Sequence, residues 1–176
     1  MMLANGSDLF RQIGKGKVAI EDNPDDIPDL VAELLTHVVE RRLVRNLSFG
    51  YQHREAVLGR VRGRIDLLFT ERRQLLARGR VACRFEDLTV DTPRNRFVRA
   101  ALNSIAEIVT ENRLARRCRS LAGSLKQIGV VGEKPHHFNI NSDRFGRHDA
   151  DDRLMVSAAQ LAFDLAYPLK KLAIDS

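Results

Sequence analysis

Between Gly59 and Leu102 the chain reads GRVRGRIDLLFTERRQLLARGRVACRFEDLTVDTPRNRFVRAAL, and eleven of those residues are arginine: Arg60, Arg62, Arg64, Arg72, Arg73, Arg78, Arg80, Arg84, Arg94, Arg96 and Arg99. The apolar runs between them are short. They predict a strand over Val61 to Asp66, a helical turn or two over Leu68 to Ala77, and a second strand over Val81 to Phe85. A turn follows at Thr92-Pro93, and then a helix. Any surface built here carries permanently ionised, fork-shaped donors, suited to anions or acidic partners.

A chain of 176 residues supports one core, or one domain with an appended arm. With 44% hydrophobic and 30% charged residues it is an ordinary globular composition, but aromatics are only 6% and Trp is absent, so the core must be aliphatic. The net charge is +6, and lysine occurs only at positions 15, 17, 126, 134, 170 and 171. An arginine excess favours bidentate contacts to phosphate or carboxylate, though a high-GC codon bias would produce it too. Nucleic acid and an acidic protein therefore both stay open as partners. Cys83 and Cys118 form no CxxC pair or disulfide framework, which fits a reducing compartment. No signal-like start and no apolar window of ~20 residues is present, so a soluble, cytoplasmic protein with no membrane partner is expected.

Along the chain, Leu9, Phe10 and Ile13 suggest a helical turn, Val18 to Ile20 an edge strand, and Glu21 to Asp29 an acidic loop. A helix is predicted from Pro28 to about Val44, with Leu30, Leu34, Leu35, Val38 and Leu43 on one face and His37 beside it as a structural histidine. Leu47 to Leu58 reads as a strand feeding a turn at Gly59. Gly59 and Gly63 suggest a bulge or close backbone approach. After Pro93, capped by Asp91 or Thr92, a helix should run through Val109. Asn112 should break it, and a further helix should cover Leu114 to Ile128. Gly132 to Asp149 is polar and irregular; its His136, His137, His148, Asp143 and Asp149 lack helical ligand spacing and read as an exposed loop rather than a metal site. A last helix, Asp151 to Tyr167, should stop at Pro168, leaving a short tail.

The expected fold is therefore α+β: a small, mostly antiparallel sheet with an Arg-rich strand-helix-strand projection, packed on or beside a helical body, in one domain. The projection would occupy about 46–92, and the body about 28–45 and 93–167.

No motif for catalysis is found. GxxxxGK[ST], GxGxxG and GxSxG are absent, and Gly14-Lys15-Gly16-Lys17 is too short for a phosphate loop. A PD-(D/E)xK nuclease needs an acid two positions before a lysine. The six lysines are preceded at that position by Ile13, Lys15, Ser124, Gly132, Pro168 and Leu169. A carboxylate cluster of Asp66, Glu86 and Asp91 can be drawn after the strands, but acids among arginines are expected first as ion-pair partners. Cys83 reads as a buried strand cysteine.

YQHREAVLGRVRGRID, ARGRVACRFEDLTVDTPRNRFVRAAL and LARRCRSLAGSL together resemble the amino-terminal half of McrC, the partner subunit of McrBC modified-cytosine restriction systems. The resemblance extends from about Leu30 to Leu165. It implies coupling to McrB, a hexameric AAA+ GTPase that recognises methylated DNA, through a stalk that enters the ring's pore and stimulates GTP hydrolysis. In that family a carboxy-terminal PD-(D/E)xK domain cuts DNA. This sequence ends at Ser176, so a truncated or nuclease-free form is expected, needing no cofactor of its own. GTP and Mg would belong to the partner, and Mg to the missing nuclease.

An arginine offered in trans could stabilise developing phosphate charge. The candidates are Arg60, Arg62, Arg64, Arg78, Arg80 and Arg84. Arg64 and Arg80 are preferred because each follows a glycine. Gly63, Asp66, Glu86, Asp91, Pro93, Asn95 and Arg96 are assigned structural parts. Two rivals stay open: a direct, nonspecific DNA-binding module reached through the same arginines, or an unrecognised nuclease using Asp66, Glu86 and Asp91.

Overall fold

The computed structural model describes residues 27–135 and 150–174, with side chains to Tyr167. The elements are α1 (Ile27–Val44), β1 (Gly50–Leu58), β2 (Arg64–Ile65), α2 (Leu67–Arg72), a 3₁₀ turn (Leu76–Arg78), β3 (Val81–Thr89), α3 (Pro93–Ile105), α4 (Asn112–Gln127) and α5 (Ala150–Ile174). The fold is α+β, as the patterning predicts.

Helices α1, α3, α4 and α5 pack on one another around an aliphatic core that includes Leu35, Val38, Leu102, Ile105, Leu125 and Met155. Phe97 on α3 meets Phe163 on α5 with ring centroids 4.8 Å apart. The stripe on α1 is wider than its periodicity suggests. Val31, Ala32, Thr36 and Val39 are buried along with Leu34, Leu35 and Val38, because α3, α4 and α5 all contact this helix.

Thr92 caps α3 by accepting a hydrogen bond from the Asn95 N–H at 3.2 Å, with Pro93 in the first turn. That helix ends at Ile105 rather than Val109, and Asn112 opens α4 instead of breaking a helix. The start of α4 is held from a distance: the Asp29 carboxylate accepts hydrogen bonds from the Thr110 N–H (2.9 Å), the Thr110 hydroxyl (2.6 Å) and the Glu111 N–H (3.3 Å). Such a cap, supplied across 81 residues, leaves no local signal.

At its other end, α5 continues through Pro168 to Ile174. A proline removes one backbone donor, which a 25-residue helix absorbs. Among the described residues, no helix is long and apolar enough to cross a membrane.

The sheet has the order β1-β3-β2, with both pairings antiparallel. β3 runs to Thr89 rather than Phe85, since all nine residues pair with β1, from Gly50↔Thr89 to Leu58↔Val81. Glu86 and Asp87 thus lie within the strand. β1 in turn starts at Gly50, while Leu47 is drawn into the helical core.

No residue from 50 to 89 belongs to that core, so the sheet is a projection outside it, with nine-residue strands about 30 Å long at ~3.3 Å per residue. Its base is tied down by Asn95, whose amide donates to the carbonyls of Ser48 (3.1 Å) and Val90 (2.8 Å). Beside it, Arg96 grips Asp91 with two bonds of 2.8 Å, and the Gly132 N–H donates to the same carboxylate at 3.0 Å. Asp91 is accordingly held below the usual carboxylate range, chiefly by the hydrogen bond from Arg96, against burial that alone would raise it.

Candidate functional site

The distal half of the projection is built on β3. Asp66 caps α2 by accepting from the Phe69 N–H at 3.0 Å. Buried Thr70 then fastens the helix to the sheet, donating to the Asp66 carbonyl at 2.7 Å and accepting from the Ala82 N–H at 3.0 Å. The helical segment expected over Leu68 to Ala77 is split by Gln74, whose φ is +48°. After it, Leu75 is buried beneath the 3₁₀ turn, and Gly79 reverses the chain at φ +64°.

β1 and β2 flank β3 and run parallel to each other, so the link between them must cross β3. It does so over the face bearing Cys83 and Phe85. The Arg62 N–H donates to the Cys83 sulfur at 3.4 Å, and the Arg62 guanidinium sits 4.2 Å from the Phe85 ring centroid.

The six candidate arginines divide into two groups. Arg62 is neutralised by Asp87 at 2.7 Å, and Arg84 lies between Glu55 (2.9 Å) and Asp66 (2.7 Å). By contrast, the guanidinium groups of Arg60, Arg64, Arg78 and Arg80 are exposed and have no ion-pair or hydrogen-bond partner among the described residues. Arg64 stands directly opposite Arg84 in the ladder. Two like charges there would repel, but the acids around Arg84 cancel its charge and leave Arg64 as the outward-facing cation. Gly59 and Gly79 bring the other three together at the tip: a Cβ on Gly59 would lie 3.9 Å from the Gly79 carbonyl oxygen. Unpaired and exposed, these groups can each offer two parallel donors to a carboxylate or phosphate.

The acids are placed otherwise than the nuclease alternative needs. The Asp66 N–H bonds to the Ala82 carbonyl at 2.9 Å, whereas Glu86 is four residues further along β3 and Asp91 lies beyond the strand's end. At ~3.3 Å per residue, Asp66 and Glu86 are separated by about 13 Å, too far to share a metal. Asp66 and Asp91 serve Arg84 and Arg96, while exposed Glu86 has no partner among the described residues. Within the described residues, no group of three or more His, Cys, Asp or Glu is placed to hold a metal ion. His136, His137, His148, Asp143 and Asp149 lie outside them.

Both cysteines are buried, and burial pushes the Cys118 thiol up to about 11. Neither should react with a thiol reagent in the folded chain at neutral pH, and both should react after denaturation; fast native-state labelling of Cys118 would contradict its burial.

Patterning over Leu67 to Leu76 gave no warning of one further feature. α2 and the 3₁₀ turn expose Leu67, Leu68 and Leu76 to solvent. The available signal was two leucine pairs in a run too short to bury both.

A helical body with a basic, three-stranded projection defines the class of chain: an α+β protein whose most distinctive surface is a set of exposed arginines with no carboxylate partner among the described residues. Its family follows from comparison. The family model described as McrBC 5-methylcytosine restriction system component matches residues 1–151, and the chain belongs to that family. It is also similar in fold to a chain of the cryo-EM structure of the Thermococcus gammatolerans McrBC complex, at 16% identity and a TM-score of 0.59, over 91% of this chain and 46% of that one. The chain thus spans about half the length of that structural relative. No curated protein matches it.

Proposed function

We propose that this component of a McrBC-type modified-cytosine restriction system acts in the cytoplasm by binding an McrB-type AAA+ GTPase hexamer and stimulating its GTP hydrolysis, with DNA reached only through the assembled complex. The observation that carries the reading is the separation of arginines on the projection: four exposed guanidiniums have no acceptor among the described residues, while their neighbours Arg62 and Arg84 are neutralised. Desolvated against a partner, such groups find carboxylates or the phosphates of a nucleotide. The fold shared with a chain of a McrBC complex supports the same partner. GTP and its Mg²⁺ then belong to the partner, and this chain contributes position and charge.

The test is the GTPase rate of the cognate McrB-type protein with and without the chain. Wild type should stimulate, and an Arg64→Ala, Arg80→Ala double variant should lose about tenfold of that stimulation, as expected for removing charge-assisted contacts. Arg62→Ala, which removes an internally paired group, should lose much less. An unchanged rate with folded wild-type chain would sink the reading. Salt-sensitive DNA binding by the chain alone would favour the direct DNA-binding module instead.

A further inference from the structure

β1 is the outer strand of the sheet, and among the described residues nothing pairs with its free side. The Asp66 N–H donates to the Ala82 carbonyl and the Ala82 N–H to the Thr70 hydroxyl, so the even-numbered residues of β3 turn their backbone groups toward β2 and α2. By alternation the odd-numbered ones face β1. The partners of the even-numbered residues, Tyr51, His53, Glu55 and Val57, therefore turn their backbone N–H and C=O groups away from the sheet. Long edges are commonly blunted by a proline, a bulge or a covering segment. β1 has no proline, and its register against β3 runs without a slip from Gly50 to Leu58. The rim is a regular template for another strand.

The sequence of the strand selects the occupant. Turned end for end about Arg54, a second β1 sets Gly50 against Leu58, Tyr51 against Val57, Gln52 against Ala56 and His53 against Glu55, so the whole of both strands pairs. The outward-facing residues of the two copies then fall opposite one another, where an antiparallel ladder exchanges its N–H···O bonds. Their side chains share a face with Leu88, Glu86, Arg84 and Ala82 of β3. Across the two copies one row on that face would run Arg84, Glu55, His53, Glu86, alternating donor and acceptor, and its Arg84–Glu55 step already exists at 2.9 Å. The other row would run Leu88, Tyr51, Val57, Ala82, apolar throughout. It would cover Leu88, Tyr51 and Val57, which are 61%, 73% and 39% exposed.

Other registers lack this match. A slip of two residues keeps the hydrogen-bonding sides but sets His53 on His53 or Glu55 on Glu55 and leaves strand ends unpaired, and parallel pairing in register stacks every like charge. In the matched register Arg54 alone meets its own copy, and Asp87, 3.9 Å from its Nε, offsets part of that repulsion.

We infer that β1 of one chain pairs antiparallel with β1 of a second copy, joining two three-stranded sheets into one of six strands. The antiparallel sense sends the two helical bodies to opposite ends of the shared sheet. The pairing requires no McrB-type protein.

Sedimentation of the 176-residue chain over a concentration series tests this, and should show a reversible monomer–dimer equilibrium. His53→Glu sets two carboxylates opposite each other, and Glu55→Lys sets a lysine opposite a histidine. Each should weaken dimerisation by about tenfold or more. Mixed in equal amounts, the two variants should dimerise about as wild type does, because the introduced glutamate faces the introduced lysine and the remaining His53 faces the remaining Glu55. A generally damaged fold would show no such rescue. A wild-type chain that stays monomeric, a dimer that neither variant weakens, or a weakened dimer that mixing does not restore would each overturn the pairing. None of these outcomes reads GTP hydrolysis, so the functional reading above stands or falls separately.

Discussion

Asp152→Ala is expected to destabilise the fold by about 3–5 kcal/mol, the usual result of stripping one partner from a buried charge network. Asp152 is fully buried in the first turn of α5. Its carboxylate accepts hydrogen bonds from the Arg42 Nε–H and the Ser48 hydroxyl, and from Arg94 at 2.7 Å; Arg42 also donates to Ser48 at 2.9 Å. These residues belong to α1, the link into β1, α3 and α5. Alanine would leave two largely buried guanidiniums facing each other without their shared anion. Denaturant midpoints of the two proteins measure the loss, and a difference below about 1 kcal/mol would show that the network is not central to stability.

The same group gives the fold an acid limit. Burial alone would raise the Asp152 pKa, but hydrogen bonds from Arg42 and Ser48 and the charges of Arg42 and Arg94 outweigh it, so the folded value is depressed. A depressed folded value contributes stability that is complete above the unfolded carboxylate range and disappears as pH falls through the folded value. Stability contributed by Asp152 should therefore be flat above about pH 5 and decline below about pH 4. Asp91 and Glu40 share the sign. Glu40 is the weaker case, since its pair with Arg117 is substantially solvent-exposed and contributes less than about 1 kcal/mol.

Gly63→Val should break the projection while sparing the body. Gly63 has φ +67°, where a β-branched residue is strained, and a Cβ there would collide with the Arg84 carbonyl oxygen and come within 2.8 Å of the Phe85 Cβ. The obstructing atoms are largely backbone and strand core, so they cannot swing aside. A local cost of roughly 2–4 kcal/mol is expected. It should detach β2 from β3 and release Arg62 from Phe85 and Asp87. Amide exchange at Arg64 and Asp66, whose N–H groups face β3, should accelerate, whereas the amides of α3 and α4 should stay protected because the sheet lies outside their core. Gly79→Ala gives the contrast. Its φ is +64°, but a Cβ there meets nothing within 4 Å, so only the conformational penalty of about 1 kcal/mol remains. Equal losses from both substitutions would refute the steric argument at Gly63.

Local chemistry made much of this architecture legible. The leucine and valine spacing of α1, the Thr92-Pro93 entry to α3 and the glycines around Arg60 each act over a few neighbours, and each appears where the patterning places it. The misses share a cause. β3 outruns its apolar residues because β1 supplies a partner for every one of them; α2 ends early, with Thr70 bonded to the sheet and Gln74 at positive φ; and α4 begins under an acid from α1.

The functional surface divides in the same way. The arginine density between Gly59 and Leu102, and hence the basic character of whatever surface forms there, is determined by the sequence alone. Which arginines remain available is decided by the tertiary structure, because an ion pair depends on where a distant carboxylate is carried. Asp87, on β3, reaches Arg62 across 25 residues, and Asp66 reaches Arg84 across 18, while no described carboxylate comes to Arg60, Arg64, Arg78 or Arg80. Charge is a property of composition; its neutralisation is a property of the fold.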